Sequence, residues 1–329
     1  VTAPDTKREQ SEQSRGRLLL LVRWAAALLI ITLLAYFLPI AQLRSAISGI
    51  SPLRFAALLL IYLLALTVGI TKWHLVVNSA DSRLPFSVSA QCYAGGLFGA
   101  LFLPSIVGGD VVRLAVGISR SPRPASVVTG NVVDRLLDAA AQLTLVLLGL
   151  GLFPGPLPNL LKIPTRHLLL ALSIAIVAVF VLLVIVPRLL RGRSIRFRRR
   201  LARLHLAQVE VSKHPYRILF CWLLGLTVQG TFLVVTMLLG ISCGLHLPFR
   251  AWLFAWPLSK IAGILPITQG GIGVRETAMV ALLVPFGAPA ARVLATGIAA
   301  EGIIIAGGLI AGLTAFVLRR RDQALRQKN

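Results

Sequence analysis

The chain has 329 residues, 57% of them hydrophobic, with mean hydropathy +0.84, three cysteines and a net charge of +23. That apolar content excludes a water-soluble enzyme, because runs of about 20 apolar residues read as spanning helices and leave little chain over. The basic excess sits in short segments beside apolar runs, where it sets orientation and meets anionic lipid, so nucleic acid is not an expected partner.

Residues 1–17 are polar and hold Lys7, Arg8, Arg15 and Arg17. The apolar run at 18–38, closed by Pro39, is too long for a signal-peptide core and is expected to stay as an anchor. Pro52 opens a second span over 53–69, with Lys72 and Trp73 beyond it as an interfacial pair. Pro85 precedes 86–103, where Gly95, Gly96 and Gly99 permit close backbone approach. A span over 125–153 carries Asn131, Asp134, Arg135, Asp138 and Gln142, and a cleaner one covers 168–186. The interval 188–217 is the longest polar one and is strongly basic. It is too short for an ordinary enzymatic domain of roughly 50 residues, and reads as a basic interfacial helix or a solvated loop. Further spans follow at 218–239 and 290–318, with shorter apolar pieces at 251–265 and 277–284 between them, and the chain ends in a basic tail.

One stretch is written twice. Residues 103–113 read LPSIVGGDVVR and residues 265–275 read LPITQGGIGVR, sharing Pro104/Pro266, Gly108/Gly270, Gly109/Gly271 and Arg113/Arg275. Helix breakers and a cation among apolar residues are tolerated in a bilayer only where protein or water surrounds the break. A repeated break of this kind is the signature of a repeat-built transporter core. Placing the three most basic segments in the cytoplasm makes 86–112 begin and end inside, and 251–284 begin and end outside. The expected architecture is therefore all-α and polytopic, with two inverted repeats over 18–160 and 161–318. Each holds a re-entrant helical hairpin, and the flanking tails 1–17 and 319–329 are cytoplasmic.

The chemistry is carried by few groups. Gly108, Gly109, Gly270 and Gly271 let backbone approach a ligand or turn N–H groups toward an anion, or they serve tight helix packing alone. Arg113 and Arg275 offer fixed forks suited to phosphate oxygens, unless they only snorkel to the interface. Asp110 stands three residues before Arg113 and can pair with it, whereas Glu276 follows Arg275 directly and is expected to diverge from it. Asp134, Arg135 and Glu301 sit inside apolar spans, where ionisable groups face an interior cavity or neutralise one another. Asp134 and Glu301 are expected to face each other across such a cavity. No P-loop motif occurs. The five histidines, His74, His167, His205, His214 and His246, lie toward loops or span ends, and Cys92, Cys221 and Cys243 are dispersed. No catalytic constellation, metal site or cofactor is expected.

GGDVVR, a following span with Asp134–Arg135, and then PITQGGIGVRE resemble the transmembrane region of the lysylphosphatidylglycerol synthase family, also called the flippase-like membrane family. Gln269 departs from that pattern, where proline is the more frequent residue. The larger synthases append a soluble aminoacyl-transfer domain. No such segment is present in this sequence, so no synthase activity is expected. The resemblance implies movement of a polar-headed phospholipid or glycolipid between leaflets of the inner membrane. Anionic or amino-headed lipids are the expected partners, with a homo-oligomer or an envelope-biosynthesis enzyme as open additions. The alternative is a membrane scaffold for a lipid-modifying enzyme.

Overall fold

In the computed structural model the described residues are 45, 47–102, 108–151, 215–263, 268 and 271–328, without the side chains of 215 and 323–328. The expected spans at 18–38 and 168–186, and the basic stretch up to 214, lie outside them. Among the described residues all regular structure is helical, as the composition requires of a chain immersed in hydrocarbon.

The first half builds α1 (Pro52–Ser79), α2 (Phe86–Phe102), α3 (Gly108–Arg120) and α4 (Pro124–Gly151). The second builds α5 (Pro215–Ser242), α6 (Phe249–Ala262), α7 (Val274–Leu283) and α8 (Ala290–Lys328), with a 3-10 turn at Val284–Phe286 before α8. Proline opens α1, α4 and α5, where a missing N–H costs nothing. Ser51 caps α1, its hydroxyl accepting from the Arg54 amide at 3.3 Å. Residues 52–79, 216–242 and 290–322 are long and apolar enough to cross a membrane. At 1.5 Å per residue, α4 with 28 residues is as long as α1. By contrast α2, α3, α6 and α7 have 17, 13, 14 and 10 residues, each too short for a hydrocarbon core of about 30 Å.

The short helices pair as hairpins. Gly96 meets Gly109, Gly95 meets Val112 and Cys92 meets Gly117, so α2 and α3 run antiparallel. A Cβ on Gly109 would stand 2.5 Å from the Gly96 carbonyl oxygen, so this crossing admits no side chain. At the other hairpin, between α6 and α7, Gly271 has φ +79°, and a Cβ there would lie 2.7 Å from the Gly263 carbonyl oxygen.

The halves interlock. Tyr62 stacks on Phe232 with centroids 4.7 Å apart, while Gly225 faces the Lys72 side chain, so α1 and α5 cross antiparallel. Each half's hairpin packs on the long last helix of the other half, α2 on α8 and α6 on α4. Phe98 and Leu101 fill the spaces left by Gly312 and Gly308. One core gathers around Trp73, Val77, Cys92 and Leu239, another around Trp252, Leu233, Leu283 and Val293. All three cysteines are buried and unpaired. Outward, α1 presents Leu53, Leu60 and Leu64, α5 presents Leu219, Phe220 and Leu223, and α8 presents Leu309, Leu313 and Phe316. Such outward apolar faces on long helices belong in lipid, not water.

Helix α1 runs ten residues past the expected end of its span and carries Lys72 with it. Lys72 is 2% exposed and is not an interfacial anchor, because two carboxylates of α4 receive it inside the bundle.

Candidate functional site

A cavity of about 440 Å³ lies at the junction of the two hairpins with α1, α4, α5 and α8. Its position follows from the broken helices. Where α2 and α6 stop short, space opens between them that long spans would have filled.

On the first-half side the charges form a closed network. The Lys72 ammonium lies 2.9 Å from Asp134 and 2.5 Å from Asp138. Arg113 reaches Asp134 at 3.4 Å and Asp110 at 3.9 Å. Arg135 bonds Asp110 and lies 3.6 Å from Asp138. The Arg113 guanidinium also sits over the Tyr93 ring at 4.1 Å and near Trp73 at 5.8 Å, and Trp73 donates to Asn131 at 3.1 Å. Three cations and three carboxylates therefore neutralise one another within one set of contacts. Isolated, each would carry a desolvation penalty of several kcal/mol.

The second-half side is smaller and more open. Arg275 bonds both Glu276, at 3.2 Å, and Glu301. Glu276 also turns back to accept from the Gly273 amide at 2.6 Å, capping the start of α7. That turn brings its other oxygen to Arg275, so the adjacent pair meets instead of diverging. Lys260, on α6, donates to Gln229 at 2.7 Å, and its ammonium lies 5.0 and 5.4 Å from the ring centroids of Trp256 and Phe232.

Six of the residues singled out in the sequence line the cavity: Gly109, Asp110, Arg113, Arg135, Arg275 and Glu301. Gly108, Asp134, Gly271 and Glu276 are described but stand behind that lining, and Gly270 lies outside the described residues. Asp134, 1% exposed, does not face Glu301 across open space, because Lys72 and Arg113 cover it. Asp110 does pair with Arg113, although its shorter contact is to Arg135. The sequence reading missed Lys72, Lys260, Gln229 and Asp138 as cavity groups. A usable signal was present for two of them. Asp138 follows Asp134 by one helical turn, and Lys260 interrupts an otherwise apolar stretch.

Among the described residues, no group of three His, Cys, Asp or Glu could hold a metal ion. Most of the remaining lining is apolar, including Leu66, Leu97, Leu101 and Ile304. One cavity thus offers charge and apolar surface side by side, as an amphiphile does.

A family model described as the lysylphosphatidylglycerol synthase TM region matches residues 21–312. No curated protein matches the chain. With a match over most of its length and a bundle of long apolar helices around a charged cavity, this multi-spanning membrane protein belongs to the lysylphosphatidylglycerol synthase transmembrane-region family.

Proposed function

We propose that the chain is a flippase that moves a polar-headed phospholipid or glycolipid between the leaflets of the cytoplasmic membrane. Family and fold support a membrane transporter of the flippase-like class. The observation that carries the finer reading is the cavity, whose charged and apolar walls match a headgroup and the first carbons of its tails. Moving a headgroup through bare hydrocarbon is costly because its polar groups lose water without compensation. A lined path replaces that water with fixed charges.

An inverted repeat accounts for the same arrangement. Both halves give the order long, short, short, long, and the corresponding helices α1 and α5 run antiparallel. The exchange of hairpins between halves is what a pseudo-two-fold axis in the membrane plane would produce. Because α2, α3, α6 and α7 are too short to span, each pair forms a re-entrant hairpin that meets its counterpart near the midplane. The Lys/Arg bias of both tails supports a cytoplasmic position for them.

In this scheme Arg113, Arg135, Asp110, Arg275 and Glu301 face the headgroup, while Asp134 and Glu276 hold the cations in place. Gly109 and Gly271 let the two arms of each hairpin approach each other. The test is a sealed-liposome assay with headgroup-labelled lipid. The protein is expected to carry inner-leaflet label to the outside, where a quencher destroys it, faster than protein-free liposomes do. Equal rates would sink the transport reading and favour a scaffold.

A further inference from the structure

Each cavity-lining arginine is engaged with at least one carboxylate, and Lys72 with two. Lys260 stands apart. Among the described residues no carboxylate lies within ion-pair distance of its ammonium group, whose hydrogen bond goes to the neutral Gln229. Asp138, Arg135, Arg275 and Lys72 line the same cavity. Asp138, the one acid of the four, is already held by Lys72 and Arg135. The acids in and behind the cavity wall, Asp110, Asp134, Asp138, Glu276 and Glu301, are each taken up by Lys72 or an arginine, and nothing in the first contacts of Lys260 neutralises it. A half-buried cation so placed is completed by an anion from outside the protein.

We infer that Lys260, with Gln229, is the seat of the phosphate group of an anionic lipid headgroup in the cavity. The inference rests on the transport reading above and narrows it, since it names which cation receives the substrate. The ammonium has three donors, and Gln229 takes one of them through its carbonyl oxygen. The amide NH2 of Gln229 remains beside it as a further donor for a phosphate oxygen. The rings of Trp256 and Phe232 lie beside the ammonium and keep that side of the charge dry, which strengthens any charge-assisted bond formed there. Trp256 is itself fixed by donating to Thr236 at 3.1 Å. The apolar remainder of the cavity takes the glycerol and acyl carbons.

The test is binding to the purified full chain in detergent, by titration calorimetry, with three probes. Dioctanoyl phosphatidic acid and dioctanoylglycerol differ only by the phosphate, and inorganic phosphate lacks the lipid. Lys260→Met removes the charge, Lys260→Arg restores it, and Gln229→Glu supplies the missing carboxylate within the protein. Phosphatidic acid binding should weaken about tenfold or more in Lys260→Met and Gln229→Glu, and stay near the parental value in Lys260→Arg. Dioctanoylglycerol binding should be the same in all four proteins, which also reports that the cavity is folded. Phosphatidic acid bound equally by Lys260→Met and the parent would overturn the inference. So would a Lys260-dependent site for inorganic phosphate that leaves lipid binding unchanged. Binding that depends on Lys260 in a protein that fails to translocate lipid would retain the seat and remove the transport reading. Translocation with unaltered binding in Lys260→Met would do the reverse.

Discussion

The two charged regions around the cavity solve the same problem differently. In the first half, six ionised side chains from α1, α3 and α4 neutralise one another, and the pair at their centre, Lys72 and Asp134, is 2% and 1% exposed. In the second half, Arg275 and Glu301 are 18% and 14% exposed, and Lys260 has no acid of its own. The closed network ties helices together, and the open one leaves charge for something else to meet. Position on a repeat does not dictate role. Arg113 and Arg275 occupy matching places in the motif and both line the cavity, yet Arg113 is packed closely by Tyr93, Trp73 and Asp134 while Arg275 is more exposed, on the hairpin of α6 and α7.

An inverted repeat would put the α2–α3 and α6–α7 hairpins on opposite faces of the membrane, and the sharpest way to break that arrangement is topological. The three native cysteines are buried, so single introduced cysteines give a clean readout. A cysteine at His246 should react with an impermeant thiol reagent applied to intact cells, and one at Arg120 only after permeabilisation. Labelling at Arg120 from outside would end the inverted arrangement.

The next largest effect is on stability. Asp134→Asn keeps the volume but leaves Lys72 and Arg113 to share the remaining acids in a buried site. Breaking a buried pair in this way should cost about 3 kcal/mol. The expected outcome is a clear fall in unfolding temperature and folded yield in detergent. An unchanged unfolding temperature would mean that the first-half network is no brace. At the small end stands the exposed cluster of Asp81 with Arg83 and Arg123, at the loop after α1. Asp81→Asn should change stability by less than about 1 kcal/mol, since water screens such pairs.

Much of this architecture could be read from residues. The motif marked where the helices break, between α2 and α3 and between α6 and α7, because proline and paired glycines have few other uses inside apolar runs. The charged positions of α4 and α8 were legible because ionisable groups rarely sit in a span without purpose. Two things were not legible. Lys72 reads as an interfacial residue because its partners, Asp134 and Asp138, lie more than sixty residues away in sequence. The capping turn of Glu276 depends on the positive φ of Gly273, which converts neighbours expected to diverge into a pair. Periodicity describes one helix at a time, and both features depend on contacts or backbone turns beyond it.

Of the charges that face the proposed path, Arg275 and Glu301 are the least committed to holding the fold. Glu301→Gln removes one cavity-facing charge and leaves Arg275 paired with Glu276, so the fold should persist. The direct measurement is the lipid translocation rate in sealed liposomes per folded molecule, for Glu301→Gln against the parent. The account predicts a fall of about tenfold or more, the loss of one charge-assisted contact in the path, at unchanged folded yield. A parental rate per folded molecule in Glu301→Gln would contradict it.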